Sequence, residues 1–185
     1  MNGNENESGS LDRLSEQALE IARRRQAAAS DVIAMLEEHF ETAFESHAAT
    51  VLHAGAWLAG RSLRRSRGSE AGNPPDGEMK LMKVFKFLVD KNSFQLKPED
   101  YAVEIPGEQT PRMTMGQVEE KFGNRYDEIM KKHEFDYADG ARTGAVACAR
   151  LLKIHCLNRK DLEPRLAASI VSMGFVEGAG KSGET

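Results

Sequence analysis

Between Ser30 and Ser66 the chain carries no proline and keeps its apolar residues at helical spacing, and this stretch limits the fold more than any other. Ile33, Leu36, Phe40, Ala43, Phe44, His47, Val51, Ala54 and Leu58 fall in one stripe, as on a helix that buries one face. Ser30 suits a cap, Asp31 the positive first turn, and Arg61, Arg64 and Arg65 the negative end. Beyond His47 a second apolar face forms from Ala48, Leu52, Ala56, Ala59 and Leu63, while Gly55 and Gly60 remove side chains altogether. A helix apolar on two faces is wrapped by neighbours. The expectation is an all-α, single-domain helical bundle of about five or six helices built around one long helix.

The flanking sequence supplies the other helices. Leu11, Leu14, Ala18, Ile21, Arg25 and Ala28 repeat at alternating three and four, a thin a/d seam that predicts a helix from Ser10 to about Ala29. The seam continues into Val32 and Met35, so this helix either runs on into the long one or breaks near Ser30. Residues 1–9 hold no apolar anchor except the initial Met and are expected to form a disordered tail, the bundle to span 10–176, and residues 177–185 to form a second tail. GSEAGNPPDGE predicts a loop, and Leu81, Val84, Phe85 and Leu88 a helix over about 78–91. Three prolines and the alternation Tyr101, Val103, Ile105 predict an extended segment crossing the bundle rather than a sheet.

Thr114 and Gln117 form a capping box that opens a helix with Met115, Val118, Phe122, Tyr126, Ile129 and Met130 on one face. Asp136 or Asp139 can cap the next, whose buried stripe is Ala141, Gly144, Ala145, Cys148, Leu151, Leu152 and His155. The last helix takes Pro164 in its first turn, and Gly174 followed by Phe175 predicts its end in a Schellman turn. Two of these helices are rich in small residues, around Ala48–Gly60 and Gly140–Ala149, and are expected to touch within the subunit, the alternative being that each meets its own copy in a dimer.

Composition narrows the function classes. A net charge of −4 gives no general attraction to nucleic acid, and no apolar run approaches the roughly 20 residues of a membrane span. Without a signal-peptide pattern at the start, the expected location is the cytoplasm. Cys148 and Cys156 lie too far apart along one helix to pair, so both are expected to be free.

Chemistry-bearing residues are few. His47 and His155 both fall inside apolar stripes, where an imidazole either finds a local hydrogen-bond partner or converges with others on a metal or ligand. The local reading is preferred; a divalent transition metal held by His47 and His155 is the alternative. Glu37, Glu41 and Glu45 make an acidic ladder that reads as a solvated face, since no matching acidic pair falls on a second helix. The string EEHFE resembles the EExxE of the all-helical nucleotide pyrophosphatases, but residues 51–69 hold no carboxylate for the second motif, so that resemblance fails. GAGKSG near the C-terminus lacks the first glycine of a phosphate loop. RSLRRSRG is ascribed to helix-dipole preference, and His53 and Trp57, one turn apart, are expected to stack.

No catalytic motif emerges. The expected function is that of a non-enzymatic, homo-oligomeric helical protein, a homodimer, acting through a binding surface. The alternative is a small metal- or ligand-binding bundle, an enzyme among the options, with a pocket near His47 and His155.

Overall fold

The computed structural model describes residues 5–42, 47–68, 75–91 and 94–180, with side chains over 13–40, 47–68, 80–91 and 94–180. Among these residues every regular element is helical, so the all-α class expected from periodicity holds. The single long helix does not. Helix α1 covers Glu5–Thr42 and α2 covers Ala48–Ser66, with His47 in an extended conformation (φ −88°, ψ 101°) immediately before α2. The two fold back on each other: a side chain at Gly55 would meet Leu36 Cδ1 at 3.3 Å, whereas in one continuous helix those positions would lie about 28 Å apart. Ile33, Leu36 and Phe40 of α1 and Val51, Ala54 and Leu58 of α2 are buried and His47 is half-buried, so each helix turns its described part of the stripe inward.

Ser30 is not a cap. α1 passes through it, and its hydroxyl donates to the Gln26 carbonyl at 3.0 Å, so the helix expected from Ser10 joins the next segment directly. Residues 5–9 belong to this helix rather than to a tail, and residues 1–4 lie outside the described residues.

The centre of the body is α2, in which every residue from Ala48 to Ser62 is buried. It packs against α6 (Tyr137–Lys153), where a methyl on Gly144 would sit 2.5 Å from Ala59 Cβ, so the two small-residue helices touch as expected. Its other close neighbour was not foreseen. Helix α7 runs Pro164–Ala179, straight through the expected stop at Gly174, and crosses α2 where Gly60, Gly174 and Gly178 face backbone atoms. Phe175, rather than closing a turn, is fully buried edge-on to Phe85 of α3 (Pro75–Lys91), their ring centroids 5.7 Å apart. Residues 177–179 therefore belong to the body, and 181–185 lie outside the described residues.

The helix after Thr114 has the predicted capping box, with Thr114 accepting from the Gln117 amide and Gln117 accepting from the Thr114 amide. It is interrupted: α4 (Met115–Val118) passes through a π turn (Glu119–Gly123) into α5 (Asn124–Lys132). Val118, Phe122, Tyr126 and Met130 are all buried and spaced by four, a period that drifts about 40° per step around an α-helix. A π turn inserts the extra residue that restores the face. The described part of the segment between α3 and α4 forms two 3-10 turns, Pro98–Tyr101 and Gly107–Gln109, and no strand. Ser169 of α7 holds it, accepting from the Val103 amide at 2.9 Å and donating to the Asp100 carbonyl at 3.1 Å.

Candidate functional site

The two histidines singled out for a metal take separate partners. His47 sits at the start of α2 with Nδ1 2.8 Å from the Thr50 hydroxyl and Nε2 2.9 Å from the Glu108 carbonyl. One tautomer satisfies both contacts: Nε2–H donates to Glu108 while Nδ1 accepts from Thr50, whose oxygen accepts in turn from the Arg112 amide at 2.9 Å. This chain of bonds ties the Gly107–Gln109 turn to the start of α2, and it uses both ring nitrogens.

His155 is fully buried. It lies in a second π turn, Ile154–Arg159, after which Lys160 takes the left-handed conformation (φ 58°) and turns Asp161 back. Both Asp161 carboxylate oxygens then stand 3.1 Å from His155 Nδ1, while Nε2 is buried with no hydrogen-bond partner among the described residues. Cys156 is adjacent in sequence and Cys148 lies two turns earlier. Burial pushes both thiols up, Cys156 to about 12, so neither is a thiolate near neutral pH. Among the described residues no three His, Cys, Asp or Glu side chains are grouped to hold a metal ion. In the acidic ladder, Glu37 pairs with Arg159 at 3.0 Å, and the Glu41 and Glu45 side chains lie outside the described set. His53 does not stack on Trp57; its Nε2 reaches Glu177 at 2.6 Å.

Sequence reasoning missed the strongest electrostatic feature. Arg61, assigned to a helix end for dipole reasons, is fully buried and donates to Asp127 at 2.8 and 3.0 Å and to Glu119 at 2.7 Å. Arg65, one turn on, reaches the same two carboxylates at 2.6 and 3.3 Å, so two guanidinium groups face two carboxylates. Burial alone would pull the Arg61 guanidinium below its usual range, but its bonds to Asp127 and Glu119 outweigh that and raise it. The π turn makes room: a methyl on Gly123 would lie 2.8 Å from a Glu119 oxygen and 3.1 Å from an Arg61 nitrogen. Two cations face two anions here, so the charge is balanced inside the subunit. The cluster fastens α2 to the α4–α5 region and leaves no unmatched charge for a substrate.

The largest uncovered apolar feature is on α1. Residues 13–23 of α1 are exposed without exception, including Leu14 at 58% and Ile21 at 39%. They stand on the same seam as Ala28, Val32 and Met35, which are buried in the body. From residue 13 to residue 23 the exposed helix runs about 16 Å before Arg24 and Arg25 tie it down through Glu134 and Asp139. The chain matches no family model, no curated protein and no solved structure.

Proposed function

We propose that this is a non-enzymatic protein that self-associates through the projecting half of α1 and acts through the surface so formed. The observation that carries the reading is one seam with two fates: Ala28, Val32 and Met35 go into the core, while Leu14 and Ile21 on the same line meet water. A lone helix of this length is only marginally stable in water, so a partner that covers its seam also stabilises it.

A second copy of this chain is the partner that fits. In a homotypic pair the positions flanking the seam face their own kind, and like charges there repel. The flanking residues along the exposed part are Ser15, Gln17 and Ala22, none of them charged. The next in line, Arg24, is neutralised by Glu134 at 2.7 Å. No helix among the described residues is long and apolar enough to cross a membrane. The proposal places the assembly in the cytoplasm, which cell fractionation tests.

Sedimentation equilibrium across a wide concentration range tests the association. The wild type is expected to show a concentration-dependent dimer, and the double substitution Leu14→Glu with Ile21→Glu a monomer of unchanged helical content at the base of the seam. A wild type that is monomeric at every accessible concentration, or a double variant that associates as strongly, overturns the proposal.

A further inference from the structure

The underside of α6 carries a concavity that the association surface does not use. It lies where α6 meets α3 and α1 and has a volume of about 510 Å³, inside the range of small-molecule sites. Leu88, Val146, Ala149 and Ile154 make an apolar floor, and Lys91, Arg150 and Lys153 bring three cations to it from two elements. Among the described residues no carboxylate lines it. That is unexpected in a chain of net charge −4.

The cations are left without counter-charges while others nearby are not. Arg24, Arg25 and Arg159 each close on a carboxylate, at 2.7, 2.6 and 3.0 Å. Arg150 instead gives one nitrogen, Nη1, to two neutral oxygens of α1, the Ser30 hydroxyl at 2.8 Å and the Gln26 carbonyl at 3.2 Å. Those bonds fix the guanidinium plane and leave Nε and Nη2 to be matched. Asp90, next to Lys91 in sequence, is not among the residues lining the cavity and acts on the Tyr101 phenol. Lys91 is steered by the face of Phe87, 5.3 Å from its ring centroid.

From this arrangement we infer that the cavity binds a small organic phosphate, its apolar body on the Leu88–Val146–Ile154 floor and its phosphate between Arg150 and the two lysines. A phosphate oxygen pair matches the free edge of a guanidinium, and a held arginine loses little freedom on binding. The apolar floor then distinguishes such a ligand from inorganic phosphate, which uses only the rim.

Isothermal titration of the full-length protein with monomeric hexyl phosphate tests this against hexanol, inorganic phosphate and phosphatidylcholine vesicles containing phosphatidate. Hexyl phosphate is expected to bind saturably, with hexanol and inorganic phosphate each roughly tenfold weaker or more. Lys91→Gln and Lys153→Gln, at exposed positions, are expected to weaken it by a similar factor with circular dichroism and melting temperature unchanged. Arg150→Lys keeps the charge but loses the two bonds to α1, and an intermediate loss is expected. Absence of saturable binding, equal binding of hexanol, or affinity unchanged in the lysine variants overturns the inference. Binding to phosphatidate vesicles without binding of monomeric hexyl phosphate also overturns it, because the patch would then be reading a membrane surface.

Discussion

Replacing Gly60 by alanine measures how close α2 and α7 lie. A methyl there would stand 2.5 Å from the Phe175 carbonyl oxygen, 2.8 Å from the Ala179 amide nitrogen and 3.0 Å from the Gly178 carbonyl carbon. All three are backbone atoms of one helix, so no rotamer change relieves the contact. To restore ordinary separations of about 3.4 Å or more, the two helices must part by nearly an ångström along a crossing that also seats Phe175, Ile170 and Trp57. Overpacking of this kind costs about 1–3 kcal/mol, and a backbone-to-backbone contact belongs at the upper end. The better helix propensity of alanine returns about 1 kcal/mol, leaving a net loss of about 2 kcal/mol. For a chain of this size that lowers the melting temperature by roughly 4–8 °C.

Gly116→Ala supplies the opposite sign in the same assay. The nearest atom to a methyl there is the Thr114 hydroxyl at 3.9 Å, so only the propensity term acts and a gain of about 0.5 kcal/mol is expected. Urea unfolding of both variants at one protein concentration, with the slope unchanged, gives the comparison. If Gly60→Ala is as stable as the wild type, the α2–α7 crossing is not the close approach described, and the reason α7 continues past Gly174 fails with it.

Two further perturbations test the electrostatics. Arg61→Ala empties a buried site and leaves the partly exposed Glu119 and Asp127 to Arg65 alone, and is expected to cost about 2–3 kcal/mol, whereas Arg142→Ala, which breaks an exposed pair with Asp139, should cost under about 1 kcal/mol by the same unfolding measurement. Asp31 is held below its usual 3.8 by its hydrogen bonds to Lys132 and His133. Its unfolded form binds the proton first as pH falls, so its stabilisation is complete above 3.8 and disappears as pH drops through the lower folded value. Asp31→Asn should therefore flatten the acid limb of stability below about pH 4 and leave the curve above it parallel to the wild type; an unchanged acid limb refutes that role.

The sequence was informative where a residue acts on its own backbone and uninformative where it acts on a distant one. Thr114 with Gln117, Asp136 accepting from the Asp139 amide, and Pro164 in a first turn all do locally what their chemistry suggests. Gly174 misled because glycine ends helices by one mechanism and lets helices cross by another. The spacing could have separated the two: Ala56 and Gly60 on one helix and Gly174 and Gly178 on the other are both four apart, which puts small residues in line for a crossing. Nothing in residues 40–47 announces a turn, as no glycine or proline occurs there. His47 stabilises the start of α2 through Thr50 and through Glu108, 61 residues away, a contact no local pattern contains. Arg61 belongs with these, since its partners Glu119 and Asp127 lie more than fifty positions along.

The folding back of α2 on α1 also bears on the proposed self-association. As one continuous rod, residues 30–66 would expose more apolar surface than short neighbours can cover, and the small-residue face around Ala48–Gly60 would be available to a second copy. Folded back, that face is entirely used inside the subunit by α6 and α7, with Ala48 to Ser62 buried to the last residue. The uncovered apolar residues are instead Leu14 and Ile21, on the seam of the exposed part of α1. Substitutions on the two surfaces should then separate cleanly. Changes at Ala56 or Gly60 alter stability at every protein concentration, whereas changes at Leu14 and Ile21 alter association and leave the monomer's unfolding free energy within about 0.5 kcal/mol of wild type. An effect of the Leu14 and Ile21 substitutions on monomer stability as large as that of Gly60→Ala would mean the projecting half of α1 is packed against its own subunit.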